Sequence, residues 1–195
     1  MDADHRVLRV EPEGPPSDGT GTATTLSRES EDHHEDHRDA TRDIPRVAFV
    51  TCVDLPDLDP DDRLAAAALR SHGITVVPAI WDDPDLDWSG FDLVVLRSCW
   101  DYVPRRDEFV AWAARVPRLA NPPAVVAWNT DKRYLTDLAR AGVPVVPTDF
   151  VPPGGSWRPT GDGEVVVKPA VGAGSVDAGR YRLADPDHRR LAAEH

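Results

Sequence analysis

Two lysines in this chain invite a chemical reading before anything else does. Of its 22 basic residues only Lys132 and Lys168 are lysine, and a compact ammonium on a flexible stem does what the planar fork of arginine cannot. Lys168 ends the apolar run "EVVVK" and is followed by Pro169 and the glycine-rich "VGAGS" of residues 171–175. A lysine that continues a buried strand wants an anion, because an uncompensated interior charge is costly. Gly172 and Gly174 let the chain bend tightly, so that backbone amides and the Ser175 hydroxyl can approach a ligand, and that is the chemistry of phosphate-binding loops. The order is the reverse of a Walker A cradle, in which the glycines come before the lysine. The plainer alternative is an edge-strand lysine that points into water ahead of an ordinary turn.

Lys132 is expected in the first turn of a helix over "NTDKRYLTDLARAG", residues 129–142, capped by Asn129 or Thr130 and stopped by Gly142. Unpaired amides and the macrodipole favour an anion there and disfavour a cation, a local conflict that an arriving phosphate would relieve. The alternative is a surface lysine beside Asp131. A second group is "RSCWDY", residues 97–102, at the end of an expected parallel strand. Small ligands bind beyond the carboxyl ends of such strands, which places Arg97, Trp100, Asp101 and Tyr102 to line a pocket, with Arg97 able to grip a carboxylate. The alternative is an Arg97–Asp101 ion pair under an aromatic lid. Cys99 has no histidine near it in sequence to activate it as a nucleophile.

The elements that must position these residues follow from periodicity. "RVAFVTCV" (46–53), "ITVVPAI" (74–80), "FDLVVLR" (91–97) and "AVVAW" (124–128) read as strands, and 61–73 and 105–116 as helices. The alternation implies a parallel sheet with right-handed crossovers, buried on both faces. Beyond a boundary near residues 118–124, "VPVVPTDFV" (143–151) and "EVVVKPAV" (164–171) read as strands of a hairpin or meander. Residues 1–43 are polar and acidic and are expected to be a disordered tail. Within them, the run "EDHHEDHRD" (31–39) reads as a solvated charge run more readily than as a metal chelator.

Composition narrows the partners. The 195 residues carry a net charge of −12, a field that repels phosphate backbones and anionic lipid and so argues against nucleic acid and membrane. No apolar run reaches the roughly 20 residues needed to span a bilayer, and the start lacks a signal peptide, which together predict a cytoplasmic protein. Cys52 and Cys99 each end an apolar run and read as buried free thiols.

The stretches "VVLRSCWDY", "FVAWAARV", "WNTDKRYLTDLARAGVPVVPT" and "VVVKPAVGAGS" together resemble the ATP-grasp superfamily of ATP-dependent carboxylate-amine ligases. The resemblance is nearest to the glutathione-synthetase-like and RimK-like group, close to the cyclo-ligases of cycloserine biosynthesis. It implies an α/β fold with a Rossmann-like preATP-grasp domain over residues 44–120, and the first α+β lobe of an ATP-grasp domain over residues 121–195. It also implies that Lys132 and Lys168 reach the phosphates of ATP, and that Gly172, Gly174 and Ser175 belong to a loop closing over them. The implied reaction passes the γ-phosphoryl group to a carboxylate, and an amine then attacks the acylphosphate. The Mg2+ that assists it is held by acidic residues of a second lobe beyond the glycine loop. Only 20 residues follow Ser175, and nothing places Asp177, Asp185 or Asp187 as those ligands. The expectation is therefore the amino-terminal part of a ligase, weak in ATP binding and inactive alone, with a homodimer or a chain carrying the missing lobe as its protein partner. The alternative is a non-catalytic nucleotide- or partner-binding module.

Overall fold

The computed structural model describes residues 44–195 and the backbone of residues 5–9. Those five residues depart from the expectation of a disordered tail over 1–43: His5–Arg9 forms a strand, β1. Its sequence, HRVLR, holds two adjacent β-capable residues, too few to outweigh the polar composition around them. The rest of that segment, including the run 31–39, lies outside the described residues.

The parallel sheet forms as its apolar runs require. β2 (Arg46–Thr51) leads into helix α1 (Pro60–Ser71), which returns the chain to β3 (Thr75–Ile80). The helix is started by Asp59, whose carboxylate accepts from the Asp61 amide at 2.9 Å, and by Pro60 in the first turn. β4 (Leu93–Ser98) then pairs with the other side of β2, and after α2 (Arg106–Ala113) a short β5 (Leu119–Ala120) completes the order β3-β2-β4-β5. Every pair is parallel. The chain therefore changes direction between β2 and β4, the switch point at whose carboxyl end open α/β sheets bind ligands.

One face of this sheet buries Ala48, Val50 and Val94 against Phe109, Trp112 and Ala113 of α2. The other buries Val47, Phe49 and Val76 against Ala66 of α1 and Leu58. Each fully buried large apolar side chain contributes on the order of 1.5–3 kcal/mol, so burial on the two faces holds the sheet between its helices.

The second half departs from the expectation in four places. "AVVAW" is not a strand but part of helix α3 (Pro123–Asn129), since Pro123 suits the first helical turn and a five-residue apolar run carries no decisive period. Only Val126 of its two valines is buried. Helix α4 (Tyr134–Arg140) starts later than expected, because Asp131 turns the chain by accepting from the Arg133 amide at 3.0 Å. Lys132 thus lies before the helix, and the argument from its dipole does not apply. The 143–151 strand shrinks to β6 (Thr148–Asp149), where Pro144 and Pro147 deny the ladder two donors.

The fourth departure is the pairing. β6 and β7 (Glu164–Pro169) do not form a hairpin, because β1 lies between them in the antiparallel order β6-β1-β7-β8, where β8 is Gly179–Arg182. The glycine-rich segment is therefore the connection between antiparallel neighbours β7 and β8. Helix α5 (Pro186–Glu194) closes this sheet by packing Ala192 on Val165, Val167 and Leu183. Both sheets fall within one compact unit of the described chain. No helix among the described residues is long and apolar enough to cross a membrane.

Candidate functional site

The two lysines meet. Lys132, Lys168, Gly172, Gly174 and Ser175 line one cavity of about 190 Å³, whose remaining wall is small and apolar and carries no carboxylate. Lys168 reaches it because β7 alternates: Val165 and Val167 face the core, so Val166 and Lys168 face the other way. Lys132 reaches it from the turn before α4, whose backbone amide donates to the Ala170 carbonyl at 2.9 Å. The Lys132 ammonium also donates to the carbonyls of Ala170 at 3.3 Å and Gly172 at 3.0 Å. A Cβ at Gly172 would stand 3.5 Å from Nζ and 3.4 Å from the Pro169 Cβ, ordinary van der Waals separations.

Electrostatics make the cavity hungry for an anion. Burial lowers the pKa of Lys132, and the neighbouring charge of Lys168 lowers it further. Burial lowers Lys168 as well. Among the described residues no hydrogen bond or ion pair satisfies the Lys168 ammonium. Asp131 offsets part of the Lys132 charge, and the remaining strain of two desolvated like charges is relieved by an anion or by loss of a proton. The loop over them is held in an uncommon shape. Ser175 and Asp177 take left-handed φ values of 59° and 52°, conformations that a non-glycine residue holds at a cost of about 1–2 kcal/mol.

The residues after β4 do not converge. Arg97 Nε donates to Asp62 Oδ1 at 2.6 Å, its Nη2 pairs with the same oxygen, and the guanidinium stands 5.7 Å over the Phe49 ring. Ser98 donates to the other Asp62 oxygen. The Arg97–Asp101 pair weighed from the sequence is absent. Asp101 instead accepts from Trp81 Nε1 and from Arg105, both at 2.9 Å. Tyr102 stacks on Phe109 at 5.1 Å, where burial raises its hydroxyl pKa, while Trp100 stays half exposed. Cys52 and Cys99 are free and buried, and burial drives the Cys99 thiol far above its ordinary value, which leaves it unreactive.

Asp62 is the residue sequence reasoning missed. It is one of five aspartates in "DLPDLDPDD", residues 54–62, and nothing in that run singles out the one that turns inward. Arg105, which bridges Asp82 and Asp101, was hidden among the arginines in the same way. Among the described residues no group of three or more His, Cys, Asp or Glu is placed to hold a metal ion.

Residues 47–121 match the family model of the D-cycloserine synthetase DcsG, N-terminal domain, which marks homology over the parallel-sheet region. The chain is 43% identical over 162 residues to the cycloserine biosynthesis protein DcsG of Streptomyces lavendulae, covering 75% of this chain and 54% of that protein. It superposes on the crystal structure of D-cycloserine synthetase DcsG with a TM-score of 0.62 at 40% identity, again over 75% of this chain and 54% of the other. The chain thus spans about half the length of the curated relative it matches.

Proposed function

We propose that this chain carries the phosphate-binding end of a cytoplasmic ATP-grasp ligase, one that joins a small carboxylic acid to an amine through an acylphosphate. The observation that carries the reading is the meeting of the only two lysines, 36 residues apart in sequence (168 − 132), at a cavity walled by the glycine loop. At about 190 Å³ the cavity is smaller than the roughly 300–1,000 Å³ of whole-ligand pockets, so it suits one end of a nucleotide, its phosphates. Homology to a synthetase of cycloserine biosynthesis supports a ligase-like role.

In this reading the ammonium groups of Lys132 and Lys168 neutralise charge on the phosphates, and the 170–178 connection covers them from water. The γ-phosphoryl group passes to a carboxylate oxygen as ADP leaves. The amine nitrogen then attacks the acyl carbon and phosphate departs. Arg97, with Trp100, Asp101 and Tyr102 nearby in the chain, is the candidate grip for the acid. Mg2+ bound with ATP would add positive charge at the phosphates, and the lysine cavity itself offers no carboxylate to hold it. A second copy of this chain, or a chain bearing an acidic lobe, would be the protein partner. The net charge of −12 argues against nucleic acid and anionic membrane as partners.

Calorimetric titration with ATP tests the reading. Saturable binding that is lost in the Lys132→Ala/Lys168→Ala double variant supports it. Binding unchanged in that variant, or none to the wild-type chain at millimolar ATP, would sink it.

A further inference from the structure

We infer that the two lysines divide the work: Lys132 is a positioning residue that latches the glycine loop, and Lys168 is the residue that takes the anion. The inference rests on the anion-cavity reading above and departs from treating the lysines as an equivalent pair. An ammonium has three N–H donors. Lys132 spends two of them on the carbonyls of Ala170 and Gly172, while its own backbone amide also holds Ala170. Three bonds from one residue therefore tie the start of the β7–β8 connection to the turn before α4. Lys168 makes no such commitment among the described residues, and its three donors are available.

The exchange energies of the two groups differ accordingly. An anion that recruits Lys132 fully must draw it off two carbonyls, giving up charge-assisted bonds of the same kind that it gains. An anion that recruits Lys168 gives up no protein bond and relieves a desolvated charge. The loop adds a reason for the latch. Ser175 and Asp177 are left-handed, so the connection has an intrinsic tendency to relax into other shapes, and the Lys132 bonds hold its first residues in place.

Tripolyphosphate, a nucleotide's phosphate chain without its base, is the probe, and hydrogen exchange of the 170–178 amides is the second readout. Lys168→Met should weaken tripolyphosphate binding by about 100-fold, the loss of hydrogen bonds to a charged group, and leave loop exchange as in the wild type. Lys132→Met should weaken binding by less than about tenfold yet speed exchange of the loop amides by about tenfold or more. Equal losses of affinity with unchanged exchange would overturn the division. So would loop exchange in Lys132→Met equal to that of the wild type. If tripolyphosphate fails to bind the wild-type chain, the anion role of Lys168 falls, while faster exchange in Lys132→Met would still establish the latch on its own.

Discussion

Asp62→Asn is the perturbation whose cost the structure lets one work out most directly. Asp62 is 5% exposed and its carboxylate receives Arg97 on one oxygen and Ser98 on the other. Asparagine keeps the volume and one acceptor oxygen but removes the charge, and its amide cannot accept from both donors. A hydrogen bond to a charged group is worth about 1.5–3 kcal/mol, and breaking a fully buried ion pair costs about 3–5. The Arg97 side chain is 39% exposed, so its orphaned charge regains part of its hydration, and the lower range applies: about 2–3 kcal/mol. With a urea slope near 2 kcal/mol/M for a domain of this size, the unfolding midpoint should fall by about 1 M at unchanged slope. Asp61→Asn, exposed on the same helical turn, is the control and should cost less than about 1 kcal/mol. If the two substitutions cost the same, the Asp62 cluster does not stabilise the fold as argued. A double-mutant cycle with Arg97→Gln should return a coupling of about 1 kcal/mol or more, and additive costs would refute the pairing.

Three further outcomes are expected. Gly179→Ala would set a methyl carbon 2.6 Å from the Tyr181 ring Cε2, displace that ring from His195, and cost about 1–3 kcal/mol in thermal or urea unfolding; wild-type stability would contradict the packing. Both lysine pKa values lie below the ordinary 10.5, so the folded chain binds fewer protons than the unfolded one between the lowered values and 10.5. Stability should therefore rise with pH through that window, and Lys168→Met should flatten the rise relative to wild type, whereas Cys99 and Tyr102, raised by burial, act oppositely in both proteins. Identical pH profiles for the two proteins would refute the lysine assignment. Asp101→Asn should lower stability by about 1–2 kcal/mol, read by urea unfolding, because it must give up either Trp81 or Arg105.

The parallel sheet was legible because its strands are long apolar runs of one chemical character. Val47 to Val50 and Val94 to Leu96 need no partner in view to declare themselves buried. What escaped was decided by neighbours distant in sequence. "AVVAW" is too short to carry a period, and two prolines tipped it into a helix. β6 and β7 look like sequential partners until a segment from the other end of the chain lies between them. At the site, the lysine and glycine positions were readable because their chemistry is rare in this composition. Asp62 and Arg105 were not, since aspartate and arginine are the commonest charged residues here and only tertiary placement separates one from another.

The gathering of both lysines at one cavity also confines the protein's side-chain amine chemistry to a single address. Amine-directed acylating reagents, cross-linkers or surface couplings have no other lysine to consume, and burial that lowers the two pKa values increases the neutral, reactive fraction at a given pH. Mass-spectrometric readout of two positions thus reports occupancy of the cavity without mutation or label, and immobilisation through lysine would block the cavity itself.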